Sequence, residues 1–171
     1  NTQNCSLGPI DQTGGPRDLA ITGDGFFTMR SDESGKTPYT RNGAFGVDEA
    51  GFVHDGSNNR LQILAVDADG NVTGTTPIDA QLPAVNADGA EFAGVTVAGN
   101  GLVMASYADG STIQIGAVAL ASFISPTGLR QVGSSNWEST GISGAASYGR
   151  PGDGKYGALL AGALERSNVD I

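Results

Sequence analysis

The sequence has few of the side chains that do chemistry, and few of those that close a fold covalently. Its single cysteine, Cys5, has no partner for an internal disulfide and reads as a free thiol near a chain end. His54 is the only histidine and stands beside Asp55-Gly56, where a turn is expected, so a His-based metal cluster is excluded and a solvated loop residue is the reading. Charged residues make up 16% of the chain, with nine Lys and Arg against 18 Asp and Glu for a net charge of −9. No stretch gathers the basic residues into a face that could replace the counterions of a phosphate backbone, which excludes nucleic acid as a partner. No run approaches the roughly 18 apolar residues a membrane span needs, and no basic segment followed by an apolar run opens the chain as a cleaved signal would. The chain therefore reads as soluble, and its compartment stays open because some export machines use no cleaved signal.

Motifs for catalysis and cofactor binding are missing in specific ways. No Gly-x-Ser-x-Gly elbow holds a serine on a strained turn. Gly149-Arg150-Pro151-Gly152-Asp153-Gly154-Lys155 ends in Gly-Lys, but Tyr156-Gly157 follow where a phosphate loop needs Ser or Thr and a helix start. Asp67-Ala68-Asp69-Gly70-Asn71 begins like a calcium loop, yet its glycine falls too early and Ile78 stands where the closing glutamate belongs, so an ordinary β-turn is expected. The residues nominate no enzyme activity, no cofactor and no metal.

What the chain does have is glycine: 27 in 171 residues, with a hydrophobic share of 39% that supports one modest core. Asp-Gly recurs at Asp24-Gly25, Asp55-Gly56, Asp69-Gly70, Asp88-Gly89, Asp109-Gly110 and Asp153-Gly154, and Asn-Gly at Asn42-Gly43 and Asn100-Gly101. Asp and Asn tolerate positive φ and glycine adopts it freely, so these pairs suit turns between twisted antiparallel strands. The runs between them, Leu19 to Ile21, Phe26 to Arg30, Leu61 to Val66, Val95 to Ala98, Leu102 to Tyr107 and Thr112 to Phe123, include several rich in branched and aromatic residues. The expected fold is mainly β, antiparallel, with many hairpins and little helix. Two strands flanking Ala108 to Ser111 form the clearest hairpin. The apolar run Ala117 to Ile124 fits a strand covered on both faces, ending at Ser125-Pro126, and a buried helix fits so short a run as well.

Residues 67–101 are richer in Asp, Asn, Thr, Gly and Pro and are expected to be a short inserted lobe or long loop. Residues 1–66 and 102–171 would then form one discontinuous β-rich domain. Isolated aromatics such as Phe26, Phe27, Tyr39, Phe45 and Phe52 are expected to fill the core. Trp137, set among polar residues, fits the core, an exposed sugar platform or a subunit contact, since tryptophan concentrates binding energy at interfaces.

Longer phrases carry a resemblance. Thr13-Gly14-Gly15-Pro16-Arg17-Asp18-Leu19-Ala20-Ile21-Thr22-Gly23-Asp24-Gly25-Phe26-Phe27 and Tyr39-Thr40-Arg41-Asn42-Gly43-Ala44-Phe45 resemble the signature of the bacterial flagellar hook and rod axial proteins. So do Phe123-Ile124-Ser125-Pro126-Thr127-Gly128-Leu129, Gly133 to Gly144, and Gly162-Ala163-Leu164-Glu165-Arg166-Ser167-Asn168-Val169-Asp170-Ile171 near the other end. The resemblance implies a structural subunit of the extracellular hook, a polymeric joint that transmits motor torque, with a subunit of the periplasmic distal rod as the alternative. Tyr107-Ala108-Asp109-Gly110 with Trp137 resembles the hook type more, whereas the short 67–101 segment departs from the sizeable outer domain hook subunits carry.

The implied partners are copies of the chain in a helical tube and the adjacent rod and hook–filament junction proteins. Export would need no cleaved signal. Trp137, Asn168 and Asp170 are the subunit-contact candidates. The family's terminal helices are expected to be trimmed from this chain, leaving a monomer in dilute solution. A secreted adhesin or carbohydrate-binding β-domain shares the acidic, turn-rich composition but does not explain ordered phrases at both ends; glycan binding lost on Trp137→Ala would favour it.

Overall fold

The structure, a computed structural model, describes residues 10–15, 17–133 and 136–165. These residues form 17 short strands and one 3-10 turn, Pro126–Gly128, in agreement with the mainly-β expectation. Strands dominate because the apolar residues fall in short β-branched and aromatic runs that glycine turns interrupt before a helical period can develop.

One sheet system of 13 strands carries the fold. Its main path runs through Arg130–Val132, Asn136–Glu138, Tyr39–Thr40, Phe26–Ser31, Asn59–Leu64, Thr112–Val118, Leu102–Tyr107 and Phe92–Val97, and the pairings are antiparallel. The hairpin expected over residues 102–116 is present: Ala105 faces Ile113 and Ser106 faces Thr112, with a register shift between Val103 and Met104. The apolar run that follows is a strand system rather than a helix. It breaks at Ala119, because Thr112–Val118 pairs with Asn59–Leu64 while Leu120–Ser122 crosses to Phe26–Ser31. Ala117 through Ala121 are fully buried throughout the change of partner.

Alternation along Phe26–Ser31 divides the core. Phe27 and Met29 point into the main cluster with Leu19, Ile21, Leu61, Ile63, Val118 and Leu120, whereas Phe26 points the other way, into a second cluster with Tyr39, Ala121, Phe123, Leu129 and Trp137. Phe27 meets Phe45 edge-on with centroids 5.2 Å apart, and Tyr39 meets Phe123 at 4.9 Å. Burying a side chain such as Phe27 stabilises the fold by about 1.5–3 kcal/mol, so loss of either cluster would cost several such contributions. Within residues 67–101, Ala80 and Leu82 enter the main cluster and Ile78–Asp79 pairs with Asn59–Leu64, whereas the side chains of Val72, Ile78 and Val85 are exposed.

The turns show how the Asp-Gly and Asn-Gly pairs work. In Asp48–Gly51, Asp67–Gly70, Asn86–Gly89, Ala98–Gly101 and Tyr107–Gly110, the glycine amide donates to the carbonyl three residues back, and the glycine takes the positive φ. The residue before the glycine, Asp or Asn in four of these turns and Ala50 in the other, stays at negative φ; Asn58, at +62°, is the only non-glycine residue at positive φ among those described. This is the three-residue hairpin loop with a left-handed glycine bulge rather than the two-residue loop that needs positive φ at both positions. Asp48, Asp67 and Asn86 reinforce it, each accepting backbone amides two and four residues on.

Two small ladders complete the fold. Leu159–Ala161 pairs with Leu19–Ile21, and Ile10–Gln12 pairs with Ala163–Glu165, so that Ile10 faces Glu165. The first and last described strands are therefore neighbours.

Candidate assembly surface

The buried Arg41–Glu165 pair stands where the segments meet. Arg41 follows directly after the Tyr39–Thr40 strand, which threads between Phe26–Ser31 and Asn136–Glu138 and so delivers its guanidinium under the Ile21 to Gly25 turn. The guanidinium Nε donates to both carboxylate oxygens of Glu165 at 3.1 Å, and Nη2 donates to Oε1 at 2.6 Å. The remaining N–H groups donate to the carbonyls of Ile21 at 3.1 Å, Gly23 at 2.8 Å and Gly25 at 2.6 Å. The planar fork thus satisfies a carboxylate and three backbone acceptors at once, which an ammonium could not do. The side chains are 10% and 6% exposed, so the pair is shielded from salt and water.

Beside this clamp lies a cleft of about 410 Å³ lined by Phe26, Ala121, Phe123, Pro126 and Tyr156, with Arg41 and the oppositely charged Asp24 and Lys155 also reaching it. Tyr156 is fixed there by donating its hydroxyl to the Ser147 carbonyl at 2.8 Å. A separate apolar feature stands out on the surface. Ile124 is 94% exposed and Ile142 is 78% exposed. Their segments are tied together by the Ser125 amide donating to the Ser143 carbonyl at 3.3 Å and by the Thr140 hydroxyl donating to the Gly128 carbonyl at 2.5 Å.

Of the residues the sequence singles out, Trp137 is 7% exposed and packs in the second cluster, flanked by the Gln131 and Tyr39 pairings. Asn168, Asp170 and Cys5 lie outside the described residues. His54 is half-buried, with Nδ1 2.8 Å from the Asp55 carbonyl. The Asp67 loop is the β-turn expected of it: its Oδ1 accepts the amides of Asp69 and Asn71. Of the Gly149–Lys155 run, Gly149 ends the Ser147–Gly149 strand, facing Leu120, and residues 151–155 are turns, tied down by Arg150 donating to the Gly70 carbonyl at 2.6 Å.

Sequence reasoning missed Arg41, Glu165, Ile124 and Ile142 as a set. Arg41 and Glu165 stood inside the two end phrases with nothing to pair them across the sequence. Ile142 offered a faint signal, as a lone apolar residue in Thr140-Gly141-Ile142-Ser143-Gly144.

The model of the family described as the flagellar hook protein FlgE/F/G D1 domain matches residues 20–128. The flagellar basal-body rod protein FlgG of Bacillus subtilis is 35% identical over 170 residues, covering 97% of this chain and 56% of that protein. FlgG of Agrobacterium fabrum is 30% identical over 164 residues, covering 95% of this chain and 54% of its own. The flagellar hook protein FlgE of Escherichia coli is 40% identical over 72 residues, covering 42% of this chain and 18% of that protein. The chain thus spans a little over half the length of the rod proteins it matches and a smaller part of the hook protein.

Proposed function

The chain belongs to the flagellar hook protein FlgE/F/G D1 domain family, and on that footing we propose that it is part of a structural subunit of the bacterial flagellum's axial tube. In the hook such a subunit serves as a joint passing motor torque to the filament; in the distal rod it serves as part of a stiff shaft. The observation that carries the proposal is the family match over residues 20–128. The fold supports it: phrases from opposite ends of the sequence meet at Arg41 and Glu165 and in the ladder joining Ile10–Gln12 to Ala163–Glu165.

The hook reading draws on the Tyr107-Ala108-Asp109-Gly110 phrase and Trp137. A specific observation favours the rod: likeness to FlgG runs over 97% of the chain, through residues 67–101, whereas likeness to E. coli FlgE covers 42%. The partners in either reading are further copies of the chain, arranged head to tail because heterologous contacts that do not close make open helices, together with the neighbouring rod and junction proteins. The role is structural, with no catalytic step, and the place is the flagellum, reached without a cleaved signal.

Of the contact candidates, Trp137 enters this proposal as a residue that shapes the surface from beneath, and Asn168 and Asp170 as candidates in the closing segment. Residues 67–101 enter it as a short insertion joined to the main core through Ala80 and Leu82 and to the sheet through Phe92–Val97. In dilute solution residues 1–171 should sediment as a monomer, and a concentration-independent oligomer would count against this account.

The full-length gene product, expressed separately in cells lacking their hook subunit and in cells lacking their distal rod subunit, tests the function. Electron microscopy should show the missing part restored in one of the two backgrounds. Restoration in neither, with the protein exported and folded, would overturn the structural reading.

A further inference from the structure

The described chain leaves an apolar knob uncovered, and it also holds an open apolar cleft. The knob is Ile124 with Ile142, on segments joined by the Ser125 to Ser143 hydrogen bond. The runs that carry it, Phe123 to Leu129 and Ser139 to Gly144, contain no charged residue, in a chain of net charge −9. Two like-charged copies repel least where both surfaces are uncharged. The cleft is lined by Phe26, Ala121, Phe123, Pro126 and Tyr156; of the charged groups at it, Asp24 and Lys155 are opposite in sign and Arg41 is paired with Glu165, which leaves it close to neutral. A cavity of roughly 150 Å³ already admits a benzene ring, so about 410 Å³ has room for branched aliphatic side chains. Ile124 does not fill this cleft itself: it follows the end of the Leu120–Ser122 strand, stands at a bend and is 94% exposed.

We propose that Ile124 and Ile142 of one copy seat in the Phe26/Phe123/Tyr156 cleft of the next copy, forming a head-to-tail contact of the assembled tube. The inference rests on the structural-subunit reading and adds to it a specific pair of surfaces. A knob and a complementary hole at different places on one chain generate an open, non-closing polymer, which is the geometry a tube needs. Two side chains in one cleft cover far less than the roughly 1,000 Å² that a stable interface requires. The contact therefore stays open in dilute solution and forms only where other contacts hold the copies together.

The test places a benzophenone-bearing amino acid at position 142 of the full-length gene product and mixes isotopically heavy and light copies before assembly. Illuminated assemblies are then digested and their crosslinks read by mass spectrometry. Crosslinks between heavy and light copies, from position 142 to the peptides holding Phe26, Pro126 or Tyr156, are the expected result. Ile142 lies against Gly128 of its own copy, so crosslinks there are expected in any case; normal assembly with crosslinks only inside one copy, to another protein or to a different face of the next copy would overturn the inference and leave the structural reading standing. Failure of the unsubstituted protein to assemble would overturn both. As a second measurement, the Ile124→Asp/Ile142→Asp variant should lose assembly while Trp137 emission stays native. Leu160→Asp, at an exposed apolar residue outside the knob, should assemble. Assembly of the double variant at the unsubstituted level would refute the contact.

Discussion

Arg41→Ala should be among the most damaging single substitutions in the described chain. It removes the guanidinium that holds a carboxylate 6% exposed to solvent, together with the donors to the Ile21, Gly23 and Gly25 carbonyls. Breaking a buried pair by deleting one partner costs about 3–5 kcal/mol, because the other charge stays buried without compensation. That is a large part of the roughly 5–15 kcal/mol that holds an ordinary domain together. Urea unfolding followed by the emission of the single tryptophan reads the change directly, since Trp137 is packed in the second cluster. With a urea dependence of about 1–3 kcal/mol per molar, the midpoint should fall by more than about 1 M. The Arg41→Met/Glu165→Leu double variant should recover much of the loss, because no charge is then stranded, but not all of it, because the three carbonyls still lack their donor. Arg130→Ala is the control. Its pair with Glu138 is 63% exposed on the arginine side and should cost no more than about 1 kcal/mol. Equal, small losses for Arg41→Ala and Arg130→Ala would refute the claim that the clamp is buried and stabilising.

Three further outcomes follow from particular side chains. Burial, then the Tyr148 hydroxyl 2.9 Å away and the charge it would carry, hold the Tyr39 ionisation well above the ordinary tyrosine range, and burial raises that of Tyr107. The fold therefore keeps protons that the unfolded chain releases near pH ~10, so stability is intact below that pH and falls as pH rises through it. Urea midpoints measured from neutral to alkaline pH should show the fall, and Tyr39→Phe/Tyr107→Phe should flatten it; an unchanged slope would refute the cause. The Thr28 hydroxyl is buried with no hydrogen-bond partner among the described residues, so Thr28→Val should gain about 1 kcal/mol and raise Tm by a few degrees in calorimetry. Gly43→Ala would drive a methyl group into the Leu19 carbonyl and should lose about 1–3 kcal/mol, whereas Gly110→Ala meets no atom within 4 Å and should lose only the roughly 1–2 kcal/mol of a left-handed residue. Replacing Gly110 by Asn should recover part of its loss, and Gly43→Asn should recover none.

The parts of this fold that are legible in sequence are those decided within a few residues. The Leu19–Ile21 and Leu102–Tyr107 strands fall where branched residues meet glycine turns, and Phe26 and Phe27 serve two clusters because neighbours in a strand face opposite ways. Turn type was less legible. Asp-Gly suggests a two-residue loop with both residues at positive φ, yet at Asp69-Gly70 and Asp88-Gly89 the loop begins two residues before the pair, at Asp67 and Asn86, whose side-chain oxygens cap the turn. The signal present in the chain was the wider spacing, Asp or Asn three residues before glycine. The break at Ala119 was not legible at all, since continuous burial leaves no polar residue to mark where a strand changes partner.

The candidate surface was hidden for a related reason. Arg41 and Glu165 are 124 positions apart, and no local pattern joins them. Once they are joined, the mechanics of the fold follow. Ile10 faces Glu165 in an antiparallel ladder, so chain continuing outward from either strand leaves at the same end of that ladder. Pulling the two strands apart would unzip three residue pairs in turn, a weak arrangement on its own. Arg41 changes the path of the load. It grips Glu165 and, through the Ile21, Gly23 and Gly25 carbonyls, the turn that leads into Phe26–Ser31, a strand at the centre of the 13-stranded system. A force on the terminal ladder is thereby shared with the core before the ladder opens. In the proposed axial subunit that coupling is what lets a domain built from very short strands act as a mechanical part.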